Sequence, residues 1–292
     1  MVSVIIINYN TFQITCNCID SVMLHTSVPY EIILVDNAST ECDPDSFKIR
    51  YPDIKLIKNR QNVGFAAGNN VGLSSASGDV ILLLNSDTLL QEDAIGKTQS
   101  FLYSHPEAGV IGCRMTYPDG TVQYTARKFR NLQWELLDLF RPLLYLMPYQ
   151  NRATLMLGKY FKGDFNIECD WLNGAFFMFR RELLQKLSDQ KLDERFFMYG
   201  EDHLWCWQIQ SLGYKNLFFS GASIVHINNA STSPEKRLSL RKIMMTHELQ
   251  ILNSRLGNGL HYQLTSNLYS FKERVRNWIK NIIFRISGNV LR

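Results

Sequence analysis

In the first 113 residues the apolar positions gather into short unbroken runs: VSVIIIN (2–8), EIILVD (31–36), IKLIKN (54–59), DVILLLN (79–85) and AGVIGC (108–113). Runs of this length, without polar alternation, predict strands buried on both faces of a parallel sheet. Between them the spacing predicts helices over 12–25, 65–76 and 91–104, with a shorter segment over 41–51. Strands alternating with helices predict βαβ units, hence an α/β fold with a mainly parallel, twisted sheet flanked by helices.

After residue 113 the rhythm changes. TYPDGT (116–121) reads as a turn, with Pro118 and Asp119-Gly120 supplying its geometry. Residues 129–149 are apolar and aromatic, broken at Pro142 and Pro148, and 129–160 reads as an apolar insertion. A strand over 171–179, a helix near 181–187, a helix over 201–213 and a strand pair at 216–219 and 223–227 follow. From 234 onward the pattern is helical, so the chain divides into 1–232 and a helical C-terminal extension, 233–292.

Composition changes this picture little. The 292 residues are 46% hydrophobic with a formal net charge of +4, which gives no case for a nucleic-acid partner. The six cysteines (16, 18, 42, 113, 169 and 206) show neither C-x-x-C nor zinc spacing, and reduced thiols in apolar runs fit the cytoplasm. No signal peptide and no spanning helix are expected, because no apolar run reaches about 18 residues.

Chemistry enters at the strand ends. ILVD ends at Asp36 and LLLNSD at Asp87, where open α/β sheets bind ligands. A dinucleotide-dependent oxidoreductase needs a glycine-rich first turn. The first turn here is Asn8-Tyr9-Asn10-Thr11, which argues against that reading. A single Asp is sufficient to anchor magnesium or manganese when phosphate oxygens complete the shell.

VSVIIINYN, VDNAS (35–39), NRQNVGFAAGNNVG (59–72), LLLNSDT, WLNGAFFMFRRELL, DERFFMYGEDHLWCW and SIVHINNAS occur in this order. The order resembles that of the inverting, GT-A-fold glycosyltransferases of family 2, in particular their bacterial rhamnosyltransferase-like branch. The resemblance covers roughly residues 2–232. It implies a nucleotide-sugar donor and a divalent cation, Mn2+ or Mg2+, held by Asp87 and His226. It places Asp36 on the base and Asn8 and Asn10 along base and ribose. Asn62, Gly64, Gly68, Ser86, Asn173 and Gly174 are then further donor-binding positions, and Asp202 and Glu201 the catalytic pair. Asp202 is expected as general base and Glu201 as an orienting group, whereas acids at a helix N-terminus have a structural reading of their own. Trp171 reads equally as a sugar-stacking ring or as core.

The chain departs from the E-D-x-D-L-C-x-R pattern of such enzymes, with Leu204 and Gln208 in place of the second Asp and the Arg. A non-catalytic relative that binds nucleotide sugar or membrane therefore remains the alternative. The absence of Q-x-x-R-W argues for addition of a single sugar. The expected acceptor is a glycan or lipid-linked saccharide of surface polysaccharide assembly. LYSFKERVRNWIKNIIFRI (268–286) carries a Trp/Ile face and a basic remainder, and 132–149 is apolar. Peripheral contact with the inner face of the plasma membrane is expected through these two segments, although 268–286 reads equally as a helix docked on the core.

Overall fold

The computed structural model describes residues 1–227 and 234–287, with the side chains of 234–239, 280, 281 and 283–287 outside the described set. The 232/233 boundary and Asn228–Ser231 of the last motif lie outside the described residues. The first half runs β1 (Val2–Asn8), α1 (Phe12–His25), β2 (Tyr30–Asp36), α2 (Asp45–Arg50), β3 (Lys55–Lys58), α3 (Phe65–Leu73), β4 (Val80–Asn85), β5 (Thr88–Leu90), α4 (Ala94–Ser104) and β6 (Ala108–Thr116). Then come β7 (Ala126–Arg127), α5 (Leu132–Leu139), α6 (Arg141–Leu144), α7 (Tyr149–Met156), β8 (Ile167–Cys169), β9 (Trp171–Leu172) and β10 (Phe176–Arg180). The chain continues through α8 (Glu201–Ser211), β11 (Lys215–His226), α9 (Pro234–Leu256) and α10 (Leu260–Ser287).

Among the described residues the main sheet has the order β3-β2-β1-β4-β10-β6-β11-β5, with β8 added beside β11, and β7 pairs β9 separately. The βαβ half is parallel throughout, as the unbroken runs predict. β10 returns antiparallel between β4 and β6, and β5 and β8 lie antiparallel on β11. The apolar runs are explained by burial on both faces. Val4, Ile6, Leu34 and Leu82 face α1 and α4, whereas Ile5, Ile33, Leu83 and Phe177 face the layer holding Ala66 and Trp205. All six cysteines are free thiols.

Three sequence expectations change in detail. The 171–179 run splits into β9 and β10, because Asn173-Gly174 forms a turn whose Asn173 Oδ1 accepts from Ala175 N–H at 2.9 Å. The pair at 216–219 and 223–227 is one strand, β11, carrying a bulge between Phe219 and Ser223. The helix near 181–187 is a 3-10 helix, Arg181–Lys186.

The C-terminal helices pack on the sheet-bearing part. Leu204 of α8 is fully buried with Phe196 and with Ile251 of α9. Gln208 Nε2 donates to Asp193 Oδ2 at 2.9 Å. Both departures from the family pattern thus hold the fold locally: one seats α9, and the other fixes the loop before α8. The insertion has its own small core of Leu144, Met156 and Tyr160, with Trp134 packed against it. No described helix is long and apolar enough to cross a membrane.

Candidate active site

A cavity of about 1030 Å³ opens at the carboxyl ends of β1 and β4. Asn62, Gly64, Ser86, Asp87, Asn173, Gly174, Glu201, Asp202 and His226 all line it. The topology produces this convergence: the LLLNSD run ends β4, and the pairing of β5 with β11 sets His226 opposite Thr88, one residue from Asp87. Ile227 N–H donates to Asp87 O at 2.9 Å, closing the corner.

At that corner His226 Nε2 lies 3.2 Å from Asp87 Oδ1. Gln123 Nε2 donates to His226 O at 2.6 Å, which turns Gln123 Oε1 toward His226 Nδ1 at 2.9 Å. Nδ1 therefore carries an N–H, and Nε2 is the ring nitrogen that faces the carboxylate oxygen, open to a cation or a proton. Two lone pairs at this separation repel unless a cation or proton lies between them. Asn85 Oδ1 is buried without a hydrogen-bond partner. Asn85 turns its amide nitrogen, Nδ2, to the same His226 Nε2 at 3.5 Å, so the cation ligands at this corner are the Asp87 carboxylate and the His226 imidazole, a pair suited to manganese and acceptable to magnesium. Among the described residues no cluster of three His, Cys, Asp or Glu is present, so a cation here would need ligand oxygens to fill its shell.

The second centre is the start of α8. Tyr199 and Gly200 both have positive φ, 70° and 96°, a turn that delivers Glu201 and Asp202 to the cavity. Asp202 Oδ2 accepts from Gly174 N–H at 2.9 Å and Oδ1 from His203 N–H at 2.8 Å. A Cβ at Gly174 would lie 3.2 Å from Asp202 Cβ, so glycine is what allows the two segments to meet. Burial raises the Asp202 carboxyl above the usual carboxylate range, against the opposing pull of those two N–H groups. Glu201 is 7% exposed and its Oε2 has no partner. Burial, then the negative charge of Asp202, pushes Glu201 up to about 8.

That shift makes a stability prediction. Between the ordinary value of 4.5 and about 8, the unfolded chain has lost the Glu201 proton while the native chain keeps it. Stability contributed by this group therefore falls as pH rises through the window. Glu201→Gln removes the charge, so its Tm is expected to match wild type near pH 5 and to exceed it at pH 8–9. About 2–4 °C is expected for each kcal/mol of relief. Calorimetric scans at the two pH values check this, and a constant difference would contradict it.

The remaining sequence-predicted residues lie beside or beneath the wall. Asp36 is 1% exposed; its Oδ1 accepts from Asn8 Nδ2 at 2.7 Å and its Oδ2 from Ser39 N–H at 3.0 Å. Asn10 Oδ1 accepts from Thr40 N–H at 2.7 Å and Glu41 N–H at 3.1 Å. Asp36, Asn8 and Asn10 thus brace the loops after β1 and β2, and the cavity wall above them is Tyr9, Thr11 and Asn37. Asn62 Oδ1 accepts from Gly64 N–H at 2.9 Å. Gly64 has a φ of 87°, and a Cβ there would meet Phe197 O at 2.3 Å. A Cβ at Gly68 would lie 3.3 Å from Asn37 Nδ2, so Gly68 gives the Asn37 amide its room behind the wall.

Trp171 lines the cavity, stacks on His203 at 5.0 Å and lies under Arg127 at 4.9 Å. Sequence reasoning missed Asn85, Gln123, Arg127 and His203. His203 Nδ1 meets Glu248 of α9 at 3.1 Å, a contact no local pattern announces.

Comparison with known proteins bears on the family and the fold. The family model "Glycosyl transferase family 2" matches residues 3–188. The N-acetylglucosaminyl-diphospho-decaprenol L-rhamnosyltransferase of Mycobacterium tuberculosis is 25% identical over 227 residues, covering 73% of this chain and 71% of that protein. The O-antigen biosynthesis protein RfbC of Myxococcus xanthus is 26% identical over 220 residues, 73% of this chain but only 16% of RfbC. Among solved structures, the mannosyltransferase PcManGT of Pyrobaculum calidifontis, in complex with GDP-Man and Mn2+, superposes with a TM-score of 0.60 at 17% identity. That match covers 91% of this chain and 69% of PcManGT, so the two share the GT-A fold. With more than half its length matched by the family model, and the motifs brought together around one cavity, the chain belongs to glycosyltransferase family 2.

Proposed function

We propose that this protein is an inverting glycosyltransferase. It moves a single sugar from a nucleoside-diphosphate sugar, dTDP-L-rhamnose or a UDP-hexose, to a glycan or lipid-linked saccharide in surface polysaccharide assembly. The observation that carries the reading is that Asp202 and the Asp87–His226 corner line the same cavity. The names of the relatives support the donor and the process: one is a rhamnosyltransferase acting on a lipid diphosphate, the other an O-antigen biosynthesis protein.

In this reading Asp202 accepts the proton of an acceptor hydroxyl. The acceptor oxygen bonds to the anomeric carbon opposite the leaving group, and the carbon–oxygen bond to phosphate breaks with its electron pair passing to the diphosphate. The anomeric configuration inverts. Burial raises the proton affinity of this carboxylate above that of a free one, which makes it the stronger base. Glu201 orients donor or acceptor beside it. Asp87 and His226 would hold Mn2+ or Mg2+, which when bound neutralises charge on the diphosphate. Ser86, Asn62, Gly64, Asn173 and Gly174 contact the donor directly, and Asn8, Asn10, Asp36 and Gly68 shape its base pocket from behind. Incubation with dTDP-, UDP- and GDP-sugars is expected to release nucleoside diphosphate from a dTDP- or UDP-sugar only. Turnover of none of them would contradict the proposal.

The protein is further proposed to work in the cytoplasm at the inner face of the plasma membrane. On α10, Tyr269, Lys272, Glu273 and Arg276 line the cavity, while Phe271, Val275, Trp278 and Ile279 are 54%, 37%, 64% and 45% exposed. This helix turns its polar side inward and its apolar side out, the reverse of a surface helix docked on a core. Leu139, Phe140, Leu143 and Leu146 of the insertion are likewise 49%, 57%, 61% and 82% exposed. An apolar face flanked by basic residues suits an anionic bilayer. Removing α10 would strip Lys272 from two buried carboxylates, so substitutions on the outer face are the cleaner test. Phe271→Ser/Trp278→Ser is expected to lower flotation with phosphatidylglycerol vesicles at least tenfold, given about 1.5–3 kcal/mol for each large apolar side chain buried. Unchanged flotation would contradict the contact.

A further inference from the structure

Away from Asp87 and Asp202, the end of the cavity built by α5, α6 and α10 holds a second cluster of charge. Asp138 is 4% exposed and receives Arg141 at 3.1 Å, Lys159 at 2.8 Å and Lys272 at 2.7 Å. Glu135 is fully buried and takes Arg130 and Lys272, each at 2.6 Å. Four cations therefore surround two carboxylates. Arg130 also lies 3.4 Å from Glu248, which in turn meets His203 at 3.1 Å. Arg276 pairs with Glu273 at 2.5 Å and adds no net charge.

The excess has a direction. Arg141, Lys159, Lys272 and Arg276 all line the cavity. Arg141 Nε is buried without a hydrogen-bond partner. A buried donor without a partner is costly, and a cation surplus inside a cavity shared with a transfer site is complementary to an anion. On the reverse side of the same elements lies the exposed apolar face of Leu139, Phe140, Leu143, Phe271 and Trp278. Charge lining the same cavity as the reacting groups, with hydrocarbon surface outside, matches the two ends of one amphiphile.

We propose that Arg141 and Lys159, supported by Lys272, form an anion subsite for the phosphate or diphosphate of a lipid-linked acceptor, whose alkyl chain leaves along the outer apolar face. This deepens the transferase reading and rests on it for the identity of the acceptor. Arg141 and Lys159 are 43% and 30% exposed at the side chain, so both can be changed without emptying the core. Lys272, at 10%, neutralises Glu135 and Asp138 and is left in place.

The test is a calorimetric titration of the full-length protein with farnesyl diphosphate, farnesol and inorganic pyrophosphate. EDTA is present, so that no metal recruits a phosphate to Asp87. Farnesyl diphosphate is expected to bind wild type at least tenfold more tightly than either of the other two. Arg141→Gln/Lys159→Gln, in which Asp138 keeps only Lys272, is expected to have a lower Tm but to stay folded and to lose at least tenfold in affinity for it, whereas Lys159→Arg retains most of it. Equal binding by the folded double variant, or loss of binding in Lys159→Arg, would overturn the subsite, and equal binding of pyrophosphate would overturn its assignment to an amphiphile. Nucleotide release by the wild type from the donor panel reads the transferase assignment separately. Its absence would sink that assignment while leaving the farnesyl diphosphate result standing.

Discussion

Asp202→Asn is expected to reduce sugar transfer by about 10²–10⁴-fold while leaving donor affinity within a factor of about two. The asymmetry follows from what Asp202 touches. Its two oxygens are held by Gly174 and His203 N–H groups, 2.9 and 2.8 Å away, and neither contact involves the Asp87 corner. Asparagine keeps the shape but offers only one acceptor oxygen, so one N–H loses its partner at a cost of about 1–3 kcal/mol. Removing a buried charge offsets part of that cost, and the fold survives. The pH profile is the second readout. Because burial raises the Asp202 carboxyl, the wild-type rate is expected to climb with pH until Asp202 is deprotonated, with the acid limb above the ordinary carboxylate range. The variant's residual rate lacks that limb. A variant retaining a tenth or more of the wild-type rate, or an unchanged profile, would remove Asp202 from the role of base and favour the binding-only relative.

Asp87→Ala is the other large effect, and its signature is opposite. Removing the carboxylate leaves His226 Nε2 without the anionic donor that faces it at the corner. Affinity for a nucleoside diphosphate is expected to fall at least tenfold in the presence of Mn2+ and to become indifferent to the metal. Without the metal, wild type and variant should bind alike. The fold is expected to tolerate the change, because Asp87's backbone contact to Ile227 is unaffected by the side chain.

How far these residues were legible in advance depends on what kind of signal each carries. β1 and α1 match their expected bounds at both ends, since a run buried on both faces announces itself without knowledge of its neighbours. β5 was not legible: Thr88–Leu90 is three residues long, too short for any period, and its partner in β11 lies far along the chain. The antiparallel insertion of β10 between β4 and β6 leaves no mark on composition either. Asp87, Asp202 and Gly174 were named through motif order. What their surroundings do follows from long-range contacts: Gln123 orienting His226, and Glu248 meeting His203.

The insertion is the most instructive case. LQWELLDLF reads as apolar, but Glu135 and Asp138 are its buried residues and Leu136 and Leu139 its exposed ones. Counting apolar residues located the segment and missed its orientation. Part of the reason is that, besides the nearby Arg130 and Arg141, those two acids are paired by Lys159 and Lys272, 21 and more than 100 residues away. Leu204 teaches the same point from the other side. Its departure from the family pattern raised doubt about catalysis, but its neighbours are Phe196 and Ile251, so it serves to seat α9.

The transfer proposed for the cavity depends on the Asp87–His226 corner holding a divalent cation that grips a nucleotide diphosphate. The most direct measurement is a calorimetric titration of wild type and Asp87→Ala with dTDP, UDP and GDP, each with Mn2+ and with EDTA. The expected result is tight binding of dTDP or UDP that requires both Mn2+ and Asp87. Binding equally strong with EDTA, or equally strong in Asp87→Ala, would contradict it.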